Sequence, residues 1–133
     1  MKILVLTSST GGGHNMRANA LKAWEQTPAG RAADLSVHIH HALESTHALY
    51  RFGVGLYNFI QMKCPAAHHL YFNYLERVPH FDHGRMIHNR HKFQEVVCQH
   101  EPDIVLSTHA HLNHGFFELA KEAMPGRAPR TVT

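Results

Sequence analysis

Three consecutive glycines followed by a histidine form the stretch most able to do chemistry. They are Gly11, Gly12, Gly13 and His14, and they come soon after a run of apolar residues. If a helix starts here, its first backbone amides lack hydrogen-bond partners and the positive end of its dipole lies at the same place. The unpartnered amides and the dipole together attract anions such as phosphate. Glycine lets an anion approach the backbone closely, whereas a tight turn alone needs only one glycine. The stretch therefore predicts a loop that binds phosphate or substrate, and a purely structural turn is the alternative.

His14 is the candidate for proton transfer. The ordinary pKa of imidazole, near 6.5, suits a general base at neutral pH. The positive end of a helix disfavours the charged imidazolium, so the ring is expected to stay neutral and able to accept a proton. A surface histidine that happens to begin a helix is the alternative.

The elements around this stretch are typical of an α/β protein. An apolar run predicts a buried strand over Lys2–Thr7, and apolar residues at helical spacing (Met16, Ala20, Ala23 and Trp24) predict a helix over Asn15–Gln26. Alternating apolar and polar residues predict a second strand over Asp34–His41. A strand, a helix and another strand in this order indicate a parallel sheet. We therefore expect a Rossmann-like fold, a parallel sheet flanked by helices, with the glycines at its carboxyl edge.

The rest of the chain continues the same pattern after a different middle section. The middle contains an aromatic and aliphatic stretch, Tyr50–Ile60, and an amphipathic stretch, Ala67–Glu76. Further predicted elements are helices over Arg85–Gln99 and Leu112–Met124, a strand over Ile104–Ser107 and the start of a strand at Thr131–Thr133. The length of 133 residues suits one domain.

Charge is distributed unevenly along the chain. The formal net charge is +3, and fifteen residues are histidine. Between residues 46 and 92, six Lys or Arg stand against two acidic residues. This imbalance favours an anionic partner or surface, with a solvated basic face as the alternative.

Several functional classes are disfavoured by composition. No apolar run is long enough to span a membrane. The two cysteines, Cys64 and Cys98, lack metal or redox spacing, so we expect free thiols in a reducing compartment. The basic residues are dispersed and no nucleic-acid-binding motif is present, so nucleic acid is not an expected partner.

The many histidines could also bind a metal ion. His38 and His40 share one face of a predicted strand, and His109, His111 and His114 follow the third predicted strand. Zinc requires three or four converging ligands, and the HExxH motif is absent. Surface histidines are therefore the preferred interpretation, and no metal is expected.

Three segments resemble the monogalactosyldiacylglycerol synthase family, which includes bacterial diacylglycerol glucosyltransferases. The segments are ILVLTSSTGGGHNMRANAL, VGLYNFIQMKCPAAHHLYFNYLE and PDIVLSTHAHLNH, and they stand in the order found in the family. A more distant resemblance, limited to the glycine-rich first loop, links the chain to the N-acetylglucosamine transferase of peptidoglycan synthesis.

This resemblance implies a GT-B glycosyltransferase, in which two Rossmann-like domains enclose the active site. Residues 1–133 would be the N-terminal domain, which binds the acceptor and the membrane. The donor-binding domain would be missing from this chain, so activity is expected of the full-length protein and not of this chain alone. The implied reaction transfers galactose or glucose from a UDP-sugar to diacylglycerol with inversion, without a cofactor. The implied location is the cytoplasmic face of the membrane, on anionic lipid. The alternatives are a remnant that binds membrane or nucleotide without catalysis, and an N-acetylglucosaminyltransferase of the peptidoglycan type.

The resemblance also assigns roles to individual residues. His14 would be the base that acts on the acceptor hydroxyl, and His109 would face the same cleft. The residues placed against the donor diphosphate or substrate are Gly11, Gly12, Gly13 and Asn15. One position departs from the family pattern, because His41 stands near the end of the second strand where an acidic residue is expected.

A separate group of residues is expected to contact the membrane and the acceptor. Aromatic side chains beside basic ones suit the surface of an anionic bilayer. The residues are Arg51, Phe52, Tyr57, Phe59 and Lys63. Packing of the aromatic members in the protein core is the alternative.

Overall fold

A computed structural model, which describes residues 1–77 and 87–133, contains one parallel sheet. Its strands are β1 (Lys2–Thr7), β2 (Ser36–His41), β3 (Ile104–Ser107) and β4 (Arg130–Val132). The strand order is β2-β1-β3-β4, and each neighbouring pair runs parallel. The predicted Rossmann-like α/β class is therefore confirmed. Because the strands are parallel, the residues that follow β1, β2 and β3 meet at one edge of the sheet.

Helices connect and cover the strands of the sheet. In the described part of the chain they are α1 (Gly12–Trp24), α2 (Pro28–Ala32), α3 (Ala42–Thr46), α4 (Ala48–Lys63), α5 (His68–Arg77), α6 (Arg90–His100) and α7 (Asn113–Ala123). Short 3₁₀ turns lie at Pro65–Ala67 and Ala110–Leu112. None of the helices in the described ranges is long and apolar enough to cross a bilayer.

The core lies on both faces of the central strand β1. On one face, Leu4 and Leu6 belong to a cluster that includes Phe93 of α6 and Phe116 of α7, whose rings meet edge to face with centroids 5.0 Å apart. The other face holds a smaller cluster of buried residues: Ile3, Val5, Ala18, Leu35 and Val37. Continuous burial from residue 3 to residue 6 is typical of a strand covered on both sides.

Several element boundaries differ from those predicted. The helix expected over Asn15–Gln26 begins earlier, at Gly12, and ends at Trp24, so two of the glycines lie within its first turn. The strand expected from Asp34 begins at Ser36, because Asp34 adopts a positive φ of 45° that a strand does not allow.

The later elements show smaller shifts. The helix expected over Arg85–Gln99 begins at Arg90, and its first predicted residues fall within 78–86, outside the described residues. The other predicted elements, Leu112–Met124 and Thr131–Thr133, are displaced by about one residue at their ends. The strand Ile104–Ser107 is as predicted.

The apolar stripe used to predict α1 does not face the core. Met16 is 71% exposed and Trp24 is 57% exposed, while Ala18 is fully buried. The face of α1 that meets the sheet contains His14, Ala18 and Leu21, which are spaced one helical turn apart. This face turns toward the sheet because the side chain of His14 is hydrogen-bonded to Thr108, just after β3. The orientation of α1 therefore depends on the hydrogen bonds made by its first turn and not on its apolar residues.

Candidate functional site

The glycine-rich segment and the chain after β3 meet at the carboxyl edge of the sheet. The imidazole rings of His14 and His109 lie with their centroids 4.3 Å apart and their planes at 39°. The two residues are 95 positions apart in sequence, and parallel pairing of β1 with β3 brings them together. The predicted shared location of these two histidines is the geometry observed.

The tautomer of His14 follows from its hydrogen bond. Nδ1 of His14 lies 2.5 Å from the backbone carbonyl oxygen of Thr108. A carbonyl oxygen only accepts hydrogen bonds, so in the neutral ring Nδ1 carries the proton and donates it to Thr108. Nε2 of His14 is then unprotonated. The bond thus orients the ring and leaves one nitrogen able to take a proton from a substrate hydroxyl.

His109 has the opposite tautomer and stays neutral. Its Nδ1 accepts a hydrogen bond from the backbone N–H of His111 at 3.3 Å, so Nε2 carries the proton and donates to Oγ1 of Thr10 at 2.9 Å. Burial, and then the nearby His14 and His111, lower the pKa of His109 to about 4. At neutral pH this residue therefore packs against His14 as an uncharged ring and holds Thr10 in the loop.

The three glycines are not equivalent. Gly11 adopts a φ of 69°, which favours glycine, and its N–H donates to Oδ1 of Asn58 at 3.0 Å. The N–H of Gly11 therefore already has an acceptor, and the contact of Gly11 with a donor diphosphate stays a prediction. Gly12 and Gly13 open α1, which has no side-chain cap, and a Cβ added at either position would meet nothing within 4 Å. Their amides, with that of His14, form the uncapped first turn of the helix.

Asn15 lies at the predicted site but faces its own loop. Its side-chain oxygen accepts from the hydroxyl of Thr7 at 3.1 Å, and its side-chain nitrogen donates to the hydroxyl of Ser9 at 3.3 Å. Thr7 also accepts from the hydroxyl of Thr108 at 3.1 Å. This placement favours a supporting role, in which Asn15 ties α1 to the ends of β1 and β3.

Two further side chains hold the loop, and sequence reasoning missed both. One is Asn58 of α4, whose nitrogen donates to the carbonyl oxygen of Ser9 at 2.8 Å. The other is Glu44 of α3, whose Oε1 accepts from the N–H of Ser9 at 2.5 Å and from the hydroxyl of Ser8 at 3.4 Å. Oε2 of Glu44 is buried and has no hydrogen-bond partner among the described residues.

Glu44 is an acidic side chain that reaches the loop close to His41, the position where the resemblance led us to expect an acid. His41 itself is exposed and lies 3.4 Å from the hydroxyl of Ser9 through its Nδ1. The carboxylate reaches the same loop from three residues farther along, in the helix that follows β2. The sequence contained a signal that could have identified Glu44 as a candidate, because it is the one acidic residue between Asp34 and Glu76.

The expected membrane contacts lie on α4, and most of them are on its outer face. Phe52 is 66% exposed and Phe59 is 58% exposed, so the alternative of core packing is wrong for both. Arg51 and Lys63 are also exposed. Tyr57 is different: it is half-buried, and its hydroxyl accepts a hydrogen bond from Gln61 at 2.6 Å. Tyr57 is therefore less accessible than the other four residues, and its contact with the membrane or acceptor stays a prediction.

Further exposed apolar residues share the outer face of α4. Leu49, Leu56 and Met62 are spaced along α4 so that they extend the row formed by Phe52 and Phe59. We call the five exposed apolar residues together the α4 stripe: Leu49, Phe52, Leu56, Phe59 and Met62. The sequence of α4 contains two basic residues and no acidic residue, so the surroundings of the stripe suit an anionic surface.

The remaining histidines of the described residues do not form a metal site. In residues 1–77 and 87–133, no group of three or more potential metal-ligating side chains could hold an ion. His38 instead stacks on His100 of α6, with ring centroids 3.7 Å apart, and His40 lies against Phe93. Cys64 and Cys98 are exposed free thiols, as predicted.

Buried neutral histidines predict a loss of stability in mild acid. Burial, then nearby histidines, lower the pKa of His40 to about 4, and burial lowers the pKa of His38 as well. A group whose pKa is lowered on folding, as in His40 and His109, stabilises the protein fully above the unfolded value near 6.5, and that stabilisation is lost as the pH falls toward 4. We expect the free energy of unfolding to fall by about 2–3 kcal/mol for His40, and by less for His109, whose larger exposure to solvent weakens the effect.

Urea unfolding at pH 7.5 and at pH 4.5 measures this effect. His40→Gln should flatten the pH dependence, whereas His69→Gln, at an exposed position of α5, should not change it. Equal pH dependence in the wild type and in His40→Gln would contradict the assignment.

A cavity of about 490 Å³ adjoins His109. Thr108 and His109 form part of its wall, and Arg17 of α1 contributes a cation. No ion pair of Arg17 is found in the described part of the chain. The cavity offers space for a substrate beside His109, whose ring contacts that of His14.

Comparison with known proteins gives no family assignment. No protein-family model, curated protein or solved structure matches the chain. The likeness to glycolipid synthases therefore stays a prediction from its three segments.

Proposed function

We propose that this chain is the acceptor half of a hexosyltransferase of the GT-B type, which uses a UDP-sugar and acts on diacylglycerol at an anionic membrane surface. The single observation that carries the proposal is the pairing of His14 with the open helix start. One short segment offers a nitrogen that can take a proton and amides that can receive negative charge.

The chemistry of hexosyl transfer suits these groups. The acceptor hydroxyl oxygen attacks the anomeric carbon of the sugar and loses its proton to Nε2 of His14. The bond from the anomeric carbon to the diphosphate oxygen breaks, and UDP leaves with the electron pair. The amides of Gly12, Gly13 and His14 stabilise the negative charge that develops on the diphosphate. Attack from the face opposite the leaving group accounts for inversion.

The α4 stripe provides the contact with the membrane in this proposal. Diacylglycerol is confined to the bilayer, so an enzyme that uses it must work at the lipid surface. Exposed aromatic and aliphatic side chains can enter the interfacial region, and Arg51 and Lys63 can lie near anionic headgroups. The protein would then attach to one face of the membrane as a peripheral protein.

A transfer assay tests the proposal directly. The protein is expressed from its complete open reading frame and incubated with labelled UDP-glucose or UDP-galactose and vesicles that contain diacylglycerol and an anionic phospholipid. The expected product is labelled hexosyldiacylglycerol. If UDP and vesicles bind but no product forms, the chain is a non-catalytic binding protein. Transfer of N-acetylglucosamine alone would favour the peptidoglycan type.

A further inference from the structure

We propose that Asn58 is a positioning residue that couples the helix carrying the α4 stripe to the glycine-rich segment, so that lipid contact orders the anion-binding amides. The inference rests on the proposed function, because it assumes that the stripe contacts lipid. It adds a physical connection between the membrane contact and the site around His14.

The connection consists of two hydrogen bonds from a single side chain. Asn58 accepts from the N–H of Gly11 at 3.0 Å and donates to the carbonyl oxygen of Ser9 at 2.8 Å. The bonded residues are 47 and 49 positions away in sequence. An amide that bonds to one residue through its oxygen and to another through its nitrogen fixes the intervening backbone, here Thr10, from both sides.

The loop depends on such contacts because its own conformation is weakly determined. Gly11 adopts a positive φ, and glycine has the largest conformational freedom in the absence of tertiary contacts. The next residues are the glycines that open α1. A change in the position of Asn58 would therefore change the direction in which the first amides of α1 point.

Most of the α4 stripe, from Leu49 to Phe59, lies roughly 100° or more away from Asn58 around the helix, whereas Met62, one turn after Asn58, lies on the same side as Asn58. Leu56 is two residues before Asn58, which places it roughly 160° away around an α-helix. Leu56, Phe52 and Phe59 are exposed, while Asn58 is half-buried against the loop. The helix therefore stands between the surface that would meet lipid and the loop that would meet the diphosphate.

The composition of α4 makes its order sensitive to what it contacts. Gly53 and Gly55 lie in the helix interior, where each glycine costs about 1 kcal/mol of helix stability relative to alanine. Lipid contact along the stripe would compensate for this cost and restrict the motion of the helix. Asn58 would then transmit that restriction to Ser9 and Gly11.

Hydrogen exchange with and without vesicles tests the coupling. Amide exchange of residues 9–14 is measured by NMR in the wild type, first in buffer and then with vesicles of phosphatidylcholine and phosphatidylglycerol. Asn58→Ala removes both bonds to the loop and leaves the stripe intact. Asn73→Ala, at an exposed position of α5, is the control, and vesicle affinity is measured for every variant.

We expect vesicles to slow the exchange of these amides by about threefold or more in the wild type and in Asn73→Ala. Asn58→Ala should bind vesicles as the wild type does but show no slowing. If its loop cannot be observed, Asn58→Asp serves instead, since it keeps an acceptor for Gly11 but loses the donor to Ser9.

Equal slowing in the wild type and in the Asn58 variants would overturn the coupling. So would vesicle binding by the wild type with no change in loop exchange. If the wild type does not bind vesicles at all, the lipid contact in the proposed function has failed, and the coupling fails with it. Measured affinity for vesicles thus separates the two failures.

Discussion

In the protein expressed from its complete open reading frame, replacing His14 by alanine is expected to lower the turnover of hexosyl transfer about a hundredfold or more, which is the usual effect of losing a general base. The acceptor hydroxyl then has no nitrogen to take its proton. Affinity for the UDP-sugar should change little, because the backbone amides of α1 remain. Turnover at saturating substrate and equilibrium binding of UDP measure the two effects separately.

The fold should survive this substitution. The side chain of His14 makes one hydrogen bond, to Thr108, whose loss costs about 1 kcal/mol. His69→Ala is the matched control, because His69 is exposed on α5 and outside the site. Wild-type turnover in His14→Ala would remove this residue from the mechanism, and equal losses in both variants would show a non-specific effect.

Replacing Phe52 and Phe59 together by serine is expected to weaken binding to anionic vesicles by about a hundredfold. Burial of one phenylalanine side chain contributes about 1.5–3 kcal/mol, and two such terms reach this magnitude. Both side chains are exposed in the protein alone, so folding stability should change by less than about 0.5 kcal/mol. Vesicle sedimentation measures the binding, and urea unfolding checks the fold.

The exposed apolar residues of α1 provide the control for this experiment. Met16→Ser with Trp24→Ser removes similar apolar area from another helix and should leave vesicle binding nearly unchanged. Arg51→Gln with Lys63→Gln should give a smaller loss, about 1 kcal/mol for each charge, that disappears at high salt. Equal losses from the α1 and α4 variants would mean that binding does not depend on the α4 stripe.

The sequence was sufficient to predict the parts of the fold that depend on local pattern. The buried run Lys2–Thr7, the glycines and the following helix predicted the first crossover of the sheet, and this inference depends on short-range periodicity and on one topological rule. The placement of His109 in the same cleft as His14 came from the family resemblance, and the pairing of β1 with β3 brings the two rings together.

The contacts of the loop could not be predicted in this way. Asn58 is 47 residues from Gly11 and belongs to a segment whose aromatic content was its main feature. The orientation of α1 was also missed, because its apolar residues point outward and hydrogen bonds of the first turn decide which side meets the sheet. Both depend on tertiary hydrogen bonds, which leave no periodic signal in a single sequence.

An NMR titration of the protein with UDP is the most direct test of the central claim, that the start of α1 binds a diphosphate beside His14. The amide signals of Gly12, Gly13 and His14 should shift saturably, and those of Ser9 and Gly11, whose N–H groups already donate to side chains, should shift less. Gly12→Ala fits the open space at that position and should weaken the binding without unfolding the protein. Signals of the three helix-start amides that do not move at millimolar UDP, or shifts centred away from α1, would contradict the account.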